Sequence, residues 1–370
     1  MGIFEKMEQH AHEQLIFCYN KPTNLKAIVA IHNTTLGNAI GGCRLWRYKT
    51  EGDALDDALI LSEIMTCQSS IADSDTGGGK IVLWHDFDEP PDEAYFRALG
   101  RFIEGLKGRI VTYPDLGTDT KDMRYIKRET DYVMLFGAPT GGAESAEITA
   151  CGVYWGMKAC AKEVYGRSEL DGLVIAIQGV GSVGTKLTDY LMQEGVKLVI
   201  TDLNYDRLKN VQDRYSQTKI VKPEEILSAE CDILSPCALG PVITKKNVSA
   251  LRCKIIAGPA YNILEDISLS EELRKREILC APDFVVNCGE MFLTEDTFKI
   301  LSKEQALASA KKIYDIMAKV IAKSKKENIS TYEAAHLIAQ ERIRKVGAIK
   351  DILKSPVIFS QRGGSKRVDS

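Results

Sequence analysis

The sequence predicts an α/β protein of two domains, the second built on a doubly wound parallel sheet, with C-terminal helices that return to the first. Three observations predict it. The chain has 370 residues, more than a single hydrophobic core usually serves. From Leu173 onward, apolar runs (LVIAIQ, KLVITD, CDILSPCA, CKIIAGPA, ILCAPDFVVN) alternate with helix-like segments, as parallel strands with crossover helices do. A glycine motif, Gly179-Val180-Gly181-Ser182-Val183-Gly184, separates the first of these strands from the next helix.

The first domain is expected over residues 1–147, with mixed strands and helices. Leu25–His32 reads as a buried strand. Gly52–Thr66 reads as an amphipathic helix, with Ala54, Ala58, Leu59, Leu61 and Ile64 at helical intervals. The run Gly77-Gly78-Gly79-Lys80 reads as a turn ahead of the apolar strand Ile81–Trp84. Glu93–Leu106 is a second helix and Gly108–Thr112 a further strand. Residues 137–147 (GAPTGGAESAE) have the composition of a hinge loop, and a helix is expected to begin near Thr149. The second domain is expected over 148–330. Lys303–Lys350 reads as helical; residues 331–370 supply the returning helix and a polar tail, frayed from 361.

Composition narrows the function classes. The chain is 45% hydrophobic and 27% charged, with a formal net charge of -3. No basic excess points to a nucleic-acid backbone or an anionic membrane. No apolar run reaches about 18 residues, so no transmembrane helix is expected. The start, Met1-Gly2-Ile3-Phe4-Glu5-Lys6, lacks a signal-peptide pattern. Lys6 stands where a myristoylation motif wants Ser or Thr, and a cytoplasmic location is expected. The ten cysteines are scattered with no C-x-x-C pair, which reads as reduced, mostly buried thiols. The five histidines lack metal-ligand spacing, so no metal is expected.

The glycine motif carries the first chemistry. Gly179 permits a tight turn after the strand Val174–Gln178, Gly181 lets backbone approach a pyrophosphate, and Gly184 lets helix pack on strand. At Ser182 and Val183 the helix start offers free N–H groups to phosphates. The next strand, Lys197–Thr201, ends at Asp202. A carboxylate there accepts both hydroxyls of an adenosine ribose and repels a 2′-phosphate, which favours NAD over NADP. Arg207 nearby pulls weakly the other way.

On the substrate side two residues stand out, each with a bland alternative. Lys80 is either a surface lysine after a turn or a lysine held in a cleft, where it can serve as a base. Its surroundings are not a phosphate-binding P-loop, because Ser74 and Ile81 break that spacing. Asp115, in Tyr113-Pro114-Asp115-Leu116-Gly117-Thr118, is by itself a turn aspartate beside proline.

Nearly the whole chain resembles the leucine/phenylalanine/valine branch of the amino-acid dehydrogenase superfamily. The stretches that carry the resemblance are IHNTTLGNAIGGCR (31–44), TGGGKIVL (76–83), FRALGRFIEGLKGRIVT (96–112), PDLGT (114–118), ITACGVYWGMKA (148–159), IQGVGSVG (177–184), CDILSPCALG (231–240), IIAGPAYNIL (255–264) and APDFVVNCG (281–289). The resemblance implies a Rossmann NAD-binding domain and oxidative deamination of an amino acid to a 2-oxo acid and ammonia, or the reverse, with no metal. It implies that Lys80 activates water and that Asp115 exchanges protons with the amine. Thr149 would bond the nicotinamide amide, Asn262 would lie between cofactor and substrate, and Gly41 and Gly42 would flank the substrate carboxylate. It also implies a homo-oligomer assembled through the first domain.

The sequence departs from the family pattern where the substrate is read. The family's M-T-x-K is Met65-Thr66-Cys67-Gln68 here, so the lysine that binds the substrate carboxylate is Gln68. A charge-assisted hydrogen bond is about twice as strong as a neutral one. The family's N-A-G-G is Asn287-Cys288-Gly289-Glu290. Glu290 either faces the pocket, repelling a carboxylate and attracting an amine, or points to solvent or a basic neighbour. Glu147 replaces a hinge proline, and Tyr261 replaces a smaller residue beside Asn262. Three readings follow. One is an amino-acid dehydrogenase with a non-standard substrate. The second is an enzyme for an amine, imine or ketone without the usual carboxylate. The third is a non-catalytic NAD-binding homologue, which the retained Lys80 and Asp115 disfavour.

Overall fold

The computed structural model describes residues 2–86, 90–135, 143–238, 240–293 and 301–352. After α1 (Ile3–Gln9), the first half forms a five-stranded sheet. Its strands are β1 (Gln14–Asn20), β2 (Leu25–Asn33), β3 (Ala39–Trp46), β4 (Gly77–Trp84) and β5 (Ile110–Pro114), in the order β1-β2-β4-β3-β5. The β1–β2 and β2–β4 pairings are antiparallel, and β4–β3 and β3–β5 are parallel. Helices α2 (Glu51–Ile71), α3 (Glu93–Gly105) and α4 (Thr120–Lys127) complete this half. Strand β2 shows why the sheet is buried on both faces. Leu25, Ala27, Val29 and Ile31 pack with Tyr95, Phe96, Leu99 and Ile103 of α3, while Ile28 and Ala30 pack with Ala54, Leu55, Ala58 and Leu59 of α2.

The glycine run is not a turn ahead of a strand. It lies inside β4, in the middle of the sheet. A Cβ on Gly78 would stand 2.1 Å from Thr66 Oγ1, so glycine is what lets α2 lie on this strand. Lys80 therefore sits in mid-strand. Helix α2 begins at a reciprocal cap between Thr50 and Asp53 and runs five residues past the expected Thr66. Its last stretch, Met65–Ile71, is buried on every side, so periodicity could not mark its end. β1 and β3 went unannounced in the sequence.

The second half follows α5 (Ala143–Tyr165) with β6 (Val174–Gln178), α6 (Ser182–Gln193), β7 (Lys197–Thr201), α7 (Tyr205–Arg214), β8 (Lys219–Ile220), β9 (Ile233–Pro236), β10 (Ile255–Ile256), α8 (Leu269–Lys275) and β11 (Leu279–Cys280). The sheet is wholly parallel, in the order β11-β10-β9-β6-β7-β8. This is the doubly wound Rossmann arrangement, with its change of direction between β6 and β9. Two expectations need correction. The helix expected near Thr149 already begins at Ala143, so the end of the supposed hinge loop is helical; residues 137–142 of that loop lie outside the described residues. The run DFVVN is not strand: α9 (Asp283–Val286) and a 3-10 segment, Cys288–Leu293, follow β11. A short, fully buried apolar run does not tell strand from helix.

The chain ends in α10 (Lys303–Ala310), α11 (Lys312–Glu327) and α12 (Thr331–Ile352). Helix α12 returns to α2, where Ser70 Oγ donates to the Ala339 carbonyl at 2.7 Å. Arg342 binds the Ser74 carbonyl at 2.7 Å and pairs with Asp75 at 2.8 Å and Asp73 at 2.9 Å. The tail expected to fray from 361 lies outside the described residues. Among the described residues no helix is long and apolar enough to cross a membrane.

Three histidines meet against the side of α2, at Ser62, Glu63 and Thr66. His12 Nε2 lies 2.7 Å from Ser62 Oγ, and its ring centroid is 4.8 Å from that of His32 and 6.1 Å from that of His10. Burial, followed by the charges of His32 and His10, lowers the His12 pKa to about 3. A base depressed in the fold takes up its proton more readily in the unfolded chain. Its contribution to stability is therefore complete above pH 6.5 and declines as pH falls toward about 3. Melting temperatures between pH 7.5 and 4 are expected to fall less steeply for His12→Gln than for the parent chain; equal slopes would contradict this.

Candidate active site

The two halves face each other across a cleft of about 1230 Å³, lined by Asp115, Thr149, Ser182, Asp202, Asn262 and Glu290 among others. One wall is the carboxyl end of the parallel sheet at its change of direction, where open α/β sheets hold ligands. Gly179 turns there with φ +92°, its N–H donating to the Thr201 carbonyl at 2.8 Å. A Cβ on Gly184 would lie 2.1 Å from the Gly179 carbonyl oxygen, which leaves room only for glycine. Helix α6 starts at Ser182 and Val183 behind Gly181, which has no side chain with which to cap it, so the first-turn N–H groups have no side-chain cap. Asp202 holds the next turn, accepting from Val180 N and Asn204 N, each at 2.8 Å. Arg207 Nη1 stands 3.9 Å away. This cradle suits a dinucleotide: a bare helix start for phosphates, with a carboxylate one strand over for the ribose.

The opposite wall carries the charged centre. Lys80 is only 3% exposed, and its Nζ lies 2.7 Å from Asp115 Oδ2. Arg44 Nε approaches the same oxygen at 3.2 Å and extends Nη1 to Asp57 at 3.0 Å, where Tyr48 also donates its hydroxyl. Burial pushes the Asp115 carboxyl up, but Lys80 and then Arg44 outweigh it and hold the group well below the usual carboxylate range. Asp115 is placed by the end of β5 and by its own N–H, which donates to Thr118 Oγ1 at 3.0 Å. A Cβ on Gly42 would come within 2.7 Å of Asp115 Cβ and 3.3 Å of Lys80 Nζ. Gly41, beside it on β3, turns its carbonyl to Thr112 Oγ1 at 2.9 Å.

Above this centre lies a band of neutral and acidic side chains. Gln68 is fully buried and donates through Nε2 to Asn287 Oδ1. Glu290 faces the cleft, and among the described residues it forms no ion pair. Its Oε1 accepts from Tyr261 at 3.1 Å and from Tyr113 at 3.4 Å, and Tyr113 also reaches Met65 Sδ at 3.6 Å. Burial, then the charge of Asp115, raises Glu290 above the ordinary glutamate pKa against the pull of Lys80 and the two phenols. Asn262, at φ +53°, lines the cleft next to Tyr261. Asp283 steadies the loop that follows, accepting from Ile263 N at 3.2 Å and Phe284 N at 2.8 Å; burial raises its carboxyl to about 6. Thr149 reaches the cleft from α5. Glu147 pairs with Lys303 at 2.8 Å and Lys186 at 3.6 Å.

Sequence reasoning passed over Arg44, Asp57, Tyr48, Tyr113 and Asp283. Their partners lie up to 177 residues away in the chain, so local pattern held no signal for them. The cluster as a whole joins a dinucleotide cradle to a paired ammonium and carboxylate, which can move protons at an adjacent substrate atom.

Known proteins are similar to this chain in sequence and fold. Residues 12–132 match the family model described as Glu/Leu/Phe/Val dehydrogenase, dimerisation domain, and residues 200–348 match Glutamate/Leucine/Phenylalanine/Valine dehydrogenase. The chain is 43% identical to the leucine dehydrogenase of Geobacillus stearothermophilus over 93% of its own length and 94% of the relative's. It is 40% identical to the phenylalanine dehydrogenase of Thermoactinomyces intermedius over 95% and 96%. Among solved structures, L-tryptophan dehydrogenase from Nostoc punctiforme superposes with a TM-score of 0.79 at 35% identity, covering 94% of this chain and 100% of that one.

Proposed function

The chain belongs to the Glu/Leu/Phe/Val dehydrogenase family of oxidoreductases acting on CH–NH2 donors, and we propose that it uses NAD, with Lys80 and Asp115 as its proton-transfer pair. The observation that carries this is the buried Lys80 ammonium, 2.7 Å from Asp115 in the cleft that also holds the glycine turn. NAD, when bound, supplies the hydride acceptor. Lys80, in its neutral form after its ammonium proton has passed to solvent, would take a proton from the water that attacks the substrate's iminium carbon. Asp115, held ionised by Lys80 and Arg44, would take a proton from the substrate ammonium before hydride transfer and return it to the amine as ammonia leaves. Thr149 and Asn262 orient the ring end of the nucleotide, Gly179, Gly181, Ser182, Val183 and Gly184 receive its phosphates, and Asp202 receives its ribose. Reduction of NAD by the purified chain with a panel of L-amino acids and amines, followed by absorbance, tests the reaction.

Asp202 also underlies the choice of NAD over NADP. Asp202→Asn keeps the shape but removes the charge that meets the ribose hydroxyls. A hydrogen bond to a charged group contributes about 1.5–3 kcal/mol, so kcat/KM for NAD is expected to fall about 10-fold or more while that for NADP holds or rises. An unchanged NAD-to-NADP ratio would remove Asp202 from this role.

A second reading concerns the substrate, and Gln68 motivates it. The buried position that the family gives to a lysine carries a neutral amide here, which supports a non-standard substrate. We also infer the division 1–147, 148–330 and 331–370. The match of the first segment to a dimerisation domain supports a homo-oligomer, measurable by light scattering.

A further inference from the structure

The substrate side of the cleft offers acceptors where an amino acid would need donors. Both cations at its centre are already engaged: Lys80 and Arg44 converge on one Asp115 oxygen at 2.7 and 3.2 Å, and Arg44 also pairs with Asp57 at 3.0 Å. The orientation of Gln68 follows from its neighbours. Asn287 Nδ2 donates to the Pro259 carbonyl at 3.2 Å, so its Oδ1 is the atom turned toward Gln68. Gln68 must answer with Nε2, and its Oε1 is left as a fully buried acceptor with no hydrogen-bond partner. The Gln68 amide also meets the Tyr261 hydroxyl, which donates to Glu290 Oε1 at 3.1 Å. Tyr113 approaches the same Glu290 oxygen at 3.4 Å. The two phenols share Oε1, and among the described residues no hydrogen bond is made to Oε2 of this cleft-lining glutamate.

We propose that Tyr261 and Glu290 in the cleft wall, with the neutral Gln68 behind them against Asn287, form a subsite for an N–H donor on the substrate, the carboxamide of an α-amino amide or the second ammonium of a diamine, in place of an α-carboxylate. A carboxylate would bring two more acceptor oxygens and a like charge against Glu290, whereas an amide NH2 or an ammonium supplies the missing protons. The inference rests on the Lys80–Asp115 reading for the position of the reacting carbon. It goes beyond that reading by naming the group beside it.

The test uses probes matched in skeleton: L-leucine, L-leucinamide, the corresponding 1,2-diamine and isoamylamine, with the same set built on phenylalanine. Binding to the NAD-loaded full chain is read by calorimetry, and turnover by NADH absorbance. The amide or the diamine is expected to bind and turn over at least about 30-fold better than the acid, the range expected when a buried charged group lacks a partner. The two arms separate a neutral donor from a cationic one. Gln68→Lys combined with Glu290→Gly is expected to reverse the order in favour of the acid, with melting temperatures confirming that both proteins are folded. Equal or tighter binding of the acid by the parent chain overturns the subsite, as does an absence of binding by every probe. Binding in the expected order without NADH formation counts against the Lys80–Asp115 reading and leaves the subsite standing.

Discussion

Lys80→Ala is expected to lower kcat by about 10²–10⁴-fold, the usual range for a positioned acid–base group, while NAD affinity stays within a few-fold of the parent. The separation follows from the architecture. Lys80 is in the middle of β4 in the first sheet, whereas the glycine turn and Asp202 belong to the second. The readout that a merely structural lysine would not give is chemical rescue. Truncation leaves a channel the length of a lysine side chain next to Asp115, and a small primary amine such as ethylamine can occupy it. Partial recovery of kcat with added ethylamine, scaling with the concentration of its free-base form, supports proton transfer by Lys80. A variant that keeps full kcat, or loses NAD binding together with activity, sinks the assignment.

Asp115→Asn is expected to cost about 3 kcal/mol of stability as well as most of the activity. Removing one partner of a buried pair is costly because the other charge stays behind, unpaired and out of water. Here the charge left behind is Lys80, at 3% exposure. Arg44 keeps Asp57, and the Asp115 side chain is itself 19% exposed, which places the cost at the low end of the usual range. The sign with pH follows from the direction of the shift. Because Asp115 is held below its ordinary value in the fold, its contribution to stability is fully present above about pH 3.8, the ordinary aspartate value, and is lost only as pH falls through the lower folded value. The stability gap between parent and variant, read from denaturant titrations, should therefore be flat from pH 8 to pH 5. A gap below about 1 kcal/mol would mean that the pair is screened by water and contributes as a surface pair does.

Much of the second half was legible in the sequence because its signals are local. Strand, glycine turn, helix, strand and terminal Asp202 fall within 29 residues, Val174–Asp202, and Gly179 and Gly184 each answer a requirement of the backbone next to them. The first half was less legible. Its glycine run looked like a turn because the sequence does not show that α2 lies against Gly78. The end of α2 was hidden because Met65–Ile71 is covered on all sides, with Thr66, Gln68, Ser69 and Ser70 buried among the apolar residues, so no alternation of exposed and buried positions marks it. The run DFVVN looked like strand because a fully buried segment shows no period.

By itself, then, the sequence determined the α/β class, through the spacing of its apolar runs, and pointed to a nucleotide cradle through one glycine motif; the candidates Lys80, Asp115, Gln68 and Glu290 were singled out by its resemblance to the family. Only the tertiary structure decided how those candidates are placed. It brought Lys80 of β4, Asp115 at the end of β5 and Arg44 of β3 onto one carboxylate oxygen. It turned Glu290 to Tyr113 and Tyr261 rather than to solvent, and it set the Gln68 amide through Asn287, 219 residues away. The physical reason is that hydrogen bonding and burial act through space. Whether a side chain is an open acceptor or a satisfied one depends on partners that the packing of the two sheets brings together, and no local spacing in the chain encodes that.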